Sequence, residues 1–136
     1  MKPTDIGKLG ESAVCRYLEE QGYTIRDRNF RIRGGEIDIV AARGEELCIV
    51  EVKTRRIGTM DPGDEAVDLR KQRRLIRACY RYLEKRGIDE SQWYIRYDIA
   101  VVSMWHGSIT DIDYLENAFD ESDYSIDEIS DGGFSW

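Results

Sequence analysis

A run of four apolar residues, Leu47-Cys48-Ile49-Val50, passes without a break into Glu51-Val52-Lys53. Residues two apart on a strand point the same way, so Leu47, Ile49, Glu51 and Lys53 share one face and Val50 and Val52 the other. Apolar side chains on both faces mark a central strand that needs a covering layer on each side. A sheet held between helices meets that need. The same geometry sets a charged pair at the end of a sheet interior, an expensive place for charge.

The rest of the chain supplies the layers. Ile6, Leu9, Ala13, Val14, Tyr17 and Leu18 recur at helical spacing and predict a first helix over 5–21, capped by Asp5 and ended by Gly22. Strands follow at 23–32, at 36–42 after the Gly34-Gly35 turn, and at 47–54 after a short turn at 43–46, as an antiparallel meander. A loop over 56–63 leads to a second helix over 64–86, closed by Gly87. One arc of that helix gathers Leu69, Gln72, Leu75, Ile76, Cys79, Tyr80 and Leu83; another gathers Arg70, Arg73, Arg74, Arg77 and Arg81. A fourth strand over 93–103 and a turn at Trp105-His106-Gly107 into a short strand over 108–115 complete the pattern. The expected fold class is α/β, a mixed central sheet in α-β-β-β-α-β order flanked by helices. Residues 1–119 form the domain, and 120–136 form an acidic extension rich in Asp, Ser and Gly.

Bulk properties narrow the classes. No apolar run approaches the ~20 residues of a membrane helix, and Met1-Lys2-Pro3-Thr4-Asp5 has no apolar signal region, so a cytoplasmic protein without a membrane partner is expected. Cys15, Cys48 and Cys79 lie far apart among apolar neighbours, as buried free thiols do in a reducing compartment. With His106 the only histidine, a zinc site is disfavoured. The net charge of −7 is unevenly spread: residues 107–136 hold nine acids and no lysine or arginine, so 1–106 carries 20 basic against 18 acidic residues. The acidic total therefore does not exclude a nucleic-acid partner.

Asp38 lies thirteen residues before Glu51, in Glu36-Ile37-Asp38-Ile39-Val40. With Glu36, Asp38 and Val40 on one face of their strand, the short turn brings Asp38 beside Glu51. Two carboxylates and a lysine at one sheet end suit phosphodiester hydrolysis. Carboxylates are hard oxygen ligands for Mg²⁺ or Mn²⁺. Such an ion polarises a phosphoryl group and lowers the pKa of a bound water. Lys53 would orient that water or stabilise charge in the transition state. An ordinary charged pair at a strand end also fits Glu-x-Lys, but this is the only acid-x-Lys in the chain. Glu11 borders the apolar arc of the first helix, as a reaching ligand or as a solvated side chain.

The chain also resembles a known family. Gly7, Gly10-Glu11, Ala13 and Tyr17-Leu18, then Arg28-Asn29-Phe30-Arg31, Gly35-Glu36-Ile37-Asp38-Ile39-Val40-Ala41 and Val50-Glu51-Val52-Lys53-Thr54-Arg55, are similar to the YraN-type bacterial proteins. Further matches are Glu65-Ala66-Val67, Lys71-Gln72-x-Arg74-Leu75, Arg96-Tyr97-Asp98 and Asn117-Ala118-Phe119. The resemblance implies a restriction-endonuclease-like PD-(D/E)xK fold related to Holliday-junction resolvases. It implies that Asp38, Glu51 and Lys53 match the nuclease signature, and that Glu11 matches a helix-one glutamate of the resolvases. The extension beyond Phe119 lies outside it.

The expected function is metal-dependent endonucleolytic hydrolysis of DNA, with branched or structured DNA among its candidate substrates and a non-catalytic nucleic-acid-binding accessory as the alternative. Asp38, Glu51 and Glu11 are the expected metal ligands, and Lys53 completes the catalytic set. Gln72 is either a satisfied core amide or a partner of Glu51 or Lys53, and Glu36 is expected just behind the ligands. Arg55, Arg56, Lys71, Arg31 and Arg33 are the expected phosphate contacts, whereas the arginine arc of the second helix reads as a solvated face. Asp98 is expected in a structural ion pair, His106 as a turn residue, and Trp93 and Trp105 in the core or on a strand surface rather than as a base-stacking platform. A cut in both strands would need two sites, which a homodimer supplies.

Overall fold

A computed structural model describes residues 3–58 and 68–123. Five strands form one sheet in the order β1-β2-β3-β4-β5: β1 (Thr24–Ile32), β2 (Gly35–Arg43), β3 (Glu46–Arg56), β4 (Tyr94–Trp105) and β5 (Ser108–Phe119). Helices α1 (Pro3–Glu20) and α2 (Leu69–Arg86) cover its two faces. β1, β2 and β3 pair antiparallel, β3 and β4 parallel, and β4 and β5 antiparallel. Parallel neighbours require a crossover, which the 57–93 segment with α2 provides. This is the mixed α/β architecture of restriction-endonuclease-like proteins.

β3 is the middle strand, and its alternation decides which helix each side chain meets. Leu47 and Ile49 pack with Leu75, Ile76, Cys79 and Tyr82 of α2. Cys48 and Val50 pack with Val14, Cys15 and Leu18 of α1. Each of these strand residues is fully buried, worth about 1.5–3 kcal/mol for a large aliphatic side chain. The helix α1 crosses β3 at Gly10, where a methyl group would overlap the Thr54 side chain. That close approach sets Glu11 against the sheet end.

Several boundaries differ from expectation for local reasons. α1 starts at Pro3, a favoured first helical residue because its missing N–H has no intrahelical partner there. Asp5 therefore lies inside the first turn, favoured by the helix dipole, rather than at the cap. α2 starts at Leu69, with Asp68 as its N-cap accepting the Lys71 N–H at 2.9 Å. The expected start at 64 lies outside the described residues. β5 runs to Phe119 rather than 115, because Asn117 (φ 54°) absorbs a register shift and Phe119 stacks on Tyr97 at 5.1 Å. Beyond it, Glu121 accepts hydrogen bonds from Tyr80 and Tyr97. The expected acidic extension lies outside the described residues from 124 onward.

Candidate functional site

The ladder between β2 and β3 ends at Ile39 opposite Val50. The next position in register would set Asp38 opposite Glu51. Instead, β2 turns over. Ile37 packs in the α2 layer and Ile39 in the α1 layer, although they are two residues apart. Opposite this point, between the Arg28–Ile39 and Phe30–Ile37 pairs of β1 and β2, lies Asn29 with φ 53°. Asparagine tolerates this left-handed conformation better than most residues, and it twists the ribbon there. Asp38 consequently does not share a face with Glu36 and Val40, as strict alternation requires. Asp38 lines a cleft on the α1 side with Gly7, Glu11, Val52, Thr54 and Arg56, about 470 Å³ in volume. Glu36 lines a cleft on the α2 side with Arg31, Lys71 and Arg74, about 530 Å³.

The freed backbone is used. Asp38 Oδ2 accepts the Val52 N–H at 2.8 Å, which replaces a ladder bond and fixes the carboxylate. Asp38 is only 7% exposed and Glu51 only 6%. Burial, then the charge of Glu51, push the Asp38 carboxyl up to about 8; the Val52 N–H opposes this, and Glu11 and Glu36 add to it. Glu51 faces α2, where the half-exposed Lys71 places Nζ at 2.9 Å from Oε1. Burial alone would lower the Lys71 pKa, but the Glu51 carboxylate holds it above its ordinary value.

The structure thus brings Glu51, Glu11 and Glu36 within electrostatic reach of Asp38, each from a different local context. Lys53 is half-buried on the Glu51 face of β3 and forms no ion pair among the described residues. Lys71 joins the cluster through Glu51. Arg31 lies at the rim and pairs with Glu36 at 3.2 Å. Arg33 is exposed in the turn. Arg55 points to β4 and donates to Ser103 Oγ at 3.3 Å. Arg56 lines the α1-side cleft. Gln72 is half-buried on α2, one residue from Lys71.

Fit to a divalent cation follows from donor chemistry. A carboxyl whose pKa is pushed up to about 8 by burial and then by the charge of Glu51 is a setting that a cation relieves. Among the described residues, no three His, Cys, Asp or Glu side chains converge into a metal cage. Mg²⁺ needs none, since it commonly takes one or two carboxylates and completes its shell with water and phosphate. Asp38 and Glu51 fit that role.

Two features were not foreseen. The Lys71–Glu51 ion pair joins α2 to β3, and its sequence signal is Lys71 lying one turn inside a helix that follows the Glu51 strand. The other is a pair of donors from β5, the Tyr114 hydroxyl and the Asn117 N–H, that join the expected Arg96 ion pair on Asp98, fully buried on the far side of β3.

The uncharacterised protein family UPF0102 has a model that matches residues 10–102, spanning both carboxylate strands and α2. A UPF0102 protein of Bacteroides thetaiotaomicron is 45% identical over 115 residues, 85% of this chain and 92% of the relative. One from Alkaliphilus oremlandii is 40% identical over 114 residues, 84% of this chain and 97% of the relative. One from Myxococcus xanthus is 37% identical over 116 residues, 85% and 90%.

Proposed function

For a chain that belongs to the uncharacterised protein family UPF0102, we propose a metal-dependent endonuclease that hydrolyses phosphodiester bonds of DNA, with branched or otherwise structured DNA as its substrate. The observation that carries this reading is the surplus of negative charge at Asp38. The carboxyl is buried beside Glu51 at the end of the central strand and opens into a cleft.

A bound Mg²⁺ or Mn²⁺ supplies Lewis-acid polarisation of the phosphoryl group and a more acidic water. Asp38 and Glu51 would hold it, and Glu11, which lines the Asp38 cleft from α1, would add negative charge nearby without joining the ligands. The Val52 N–H keeps the Asp38 carboxylate in one orientation before substrate arrives, as hydrogen bonds to ligating carboxylates do elsewhere. Lys53, with no ion pair among the described residues, donates to a phosphoryl oxygen and offsets charge that grows in the transition state. Arg31, Lys71 and Arg74 line the α2-side cleft and bind flanking phosphates through salt-sensitive contacts. The three buried free thiols suit a reducing cytoplasm, and a homodimer would supply the two sites that a double-strand cut requires.

A non-catalytic nucleic-acid-binding accessory is the second reading, favoured by the Lys71 ammonium that already neutralises Glu51. A cleavage panel separates the two: linear, nicked, flap and four-way DNA, plus RNA, with Mg²⁺, with Mn²⁺ and with chelator. The expected result is metal-dependent nicking that falls by about 10²-fold or more in Glu51→Ala and Lys53→Ala. DNA retardation that weakens steeply with salt, without cutting, would favour the accessory. Failure of every substrate in both monomeric and dimeric fractions overturns the enzyme.

A further inference from the structure

We infer that the chain carries a nucleobase pocket beside the carboxylates, so that its substrate presents an unpaired base next to the bond to be cut. This inference rests on the nucleic-acid reading above and narrows it to DNA with a splayed or single-stranded nucleotide.

The pocket lies where β3 leaves the sheet and β4 turns into β5. Ile6, Arg56, Ile57, Met104, Trp105 and His106 line a space of about 410 Å³, within the ~300–1,000 Å³ range of small-molecule clefts. Trp105 is 54% exposed and Ile57 46%. A solvent turn has no use for two large exposed apolar side chains side by side, whereas a flat apolar ligand does. The walls are held. The Ile57 N–H donates to the Met104 carbonyl at 2.8 Å, extending the parallel ladder one residue past the Arg56–Met104 pair. His106 (φ 50°) and Gly107 (φ 77°) form a tight left-handed turn, which packs the imidazole edge-on against the Trp105 ring at 4.1 Å.

Chemistry and continuity identify the occupant. Ile6 and Arg56 line both this pocket and the Glu11–Asp38 cleft, so the two spaces adjoin. Lys53 and Arg56 lie three positions apart on β3, ~10 Å of extended chain. No carboxylate is among the described residues lining the pocket, in contrast to the cleft next to it. An indole and an imidazole offer stacking surfaces to any base, and an arginine between pocket and cleft suits the phosphate joining one nucleotide to the next. A base inside a duplex stays stacked on its neighbours, so only an unpaired or extruded base reaches such a pocket.

The test is a binding assay in chelator, in a Glu51→Gln background, using labelled single-stranded DNA, the same strand with abasic residues, a fully paired duplex, and single-stranded RNA. Trp105→Ala is expected to weaken binding of the base-bearing strand about ten-fold. Trp105→Phe, which keeps a stacking face, should retain most of the affinity. Abasic DNA should bind the parent as weakly as base-bearing DNA binds Trp105→Ala, with no further loss when both changes combine. The duplex should be indifferent to Trp105. Equal affinity for base-bearing and abasic strands, a uniform loss across all ligands including duplex, or no binding at all overturns the pocket. Equal, Trp105-dependent binding of RNA overturns only the restriction to DNA. Trp105-dependent binding without metal-dependent cutting by the unsubstituted chain leaves the pocket and removes the nuclease. Cutting that ignores Trp105 does the reverse.

Discussion

Two aspartates flank the central strand, Asp38 on β2 and Asp98 on β4, and both are buried. Each lies across from an asparagine with positive φ, Asn29 for Asp38 and Asn117 for Asp98, at a point where the neighbouring strand is irregular. Their surroundings differ. Asp98 receives the Arg96 guanidinium at 3.0 Å on each oxygen, the Tyr114 hydroxyl at 2.6 Å and the Asn117 N–H at 2.9 Å. Arg96 is also held by Tyr23 and Glu46. Burial alone would lower the Arg96 pKa, but Asp98 and Tyr23 raise it well above its ordinary value. Asp38 accepts the Val52 N–H and otherwise meets the negative charges of Glu51, Glu11 and Glu36. One aspartate is neutralised from within the protein. The other lies among carboxylates, with the nearby Lys71 ammonium paired to Glu51 rather than to it.

Removing the internal cation gives the largest expected effect. Arg96→Ala strands the Asp98 charge in the core and should cost about 3–5 kcal/mol, read as a lower urea midpoint at unchanged slope. A loss below ~1 kcal/mol, the scale of a surface pair, would erase the contrast between the two aspartates.

Asp38→Asn should act in the opposite direction. The folded protein holds the Asp38 proton up to about pH 8, while the unfolded chain releases it near pH 4. Between these values the folded state binds more protons, so stability falls as pH rises and the full penalty is present above pH 8. Asparagine keeps an acceptor for the Val52 N–H and removes the charge. The variant should therefore match the parent near pH 4 and exceed it by on the order of 5 kcal/mol above pH 8. Mg²⁺ at saturating concentration should stabilise the parent but not the variant. Thermal melts across pH, with and without Mg²⁺, read both. A variant less stable than the parent at pH 8.5 would place Asp38 with Asp98 as a structural residue.

The smallest effect sharpens the shared feature. Asn29→Ala forces a residue with a poor left-handed conformation into φ 53° and should cost about 1–2 kcal/mol, whereas Asn29→Gly should be close to neutral. If alanine were equally neutral, the twist that turns Asp38 toward α1 would not depend on Asn29.

The fold was legible because its signals are local. The apolar faces of Leu47 to Val52, Gly22 and Gly87 past the helix ends, and the short turn at Gly44 all act over a few residues, and each appears where expected. That Asp38, Glu51 and Glu11 come near one another was legible, but their arrangement was not. Alternation set Asp38 on the face of Val40; the left-handed Asn29 reverses that, and no two-residue period can express it. Lys71 was marked as a phosphate contact, yet its ammonium lies on Glu51, because α2 packs across β3. Trp105 was expected in the core or on a strand surface and His106 in a turn; Trp105 is exposed at the end of β4 and His106 lies in the turn. The pocket they form also needs Ile57, just past β3, and Ile6 from α1.

By itself the sequence determined the kinds and order of the elements, the central place of β3, and the presence of Asp38, Glu51 and Lys53 on neighbouring strands. These follow from side-chain periodicity and backbone preference, which adjacent residues express on their own. Only the tertiary structure decided that Asp98 is neutralised and Asp38 is not. The charge on a buried group depends on what distant segments bring within a few ångströms. Arg96, Tyr114 and Asn117 converge on one aspartate, and Glu51, Glu11 and Glu36 converge near the other.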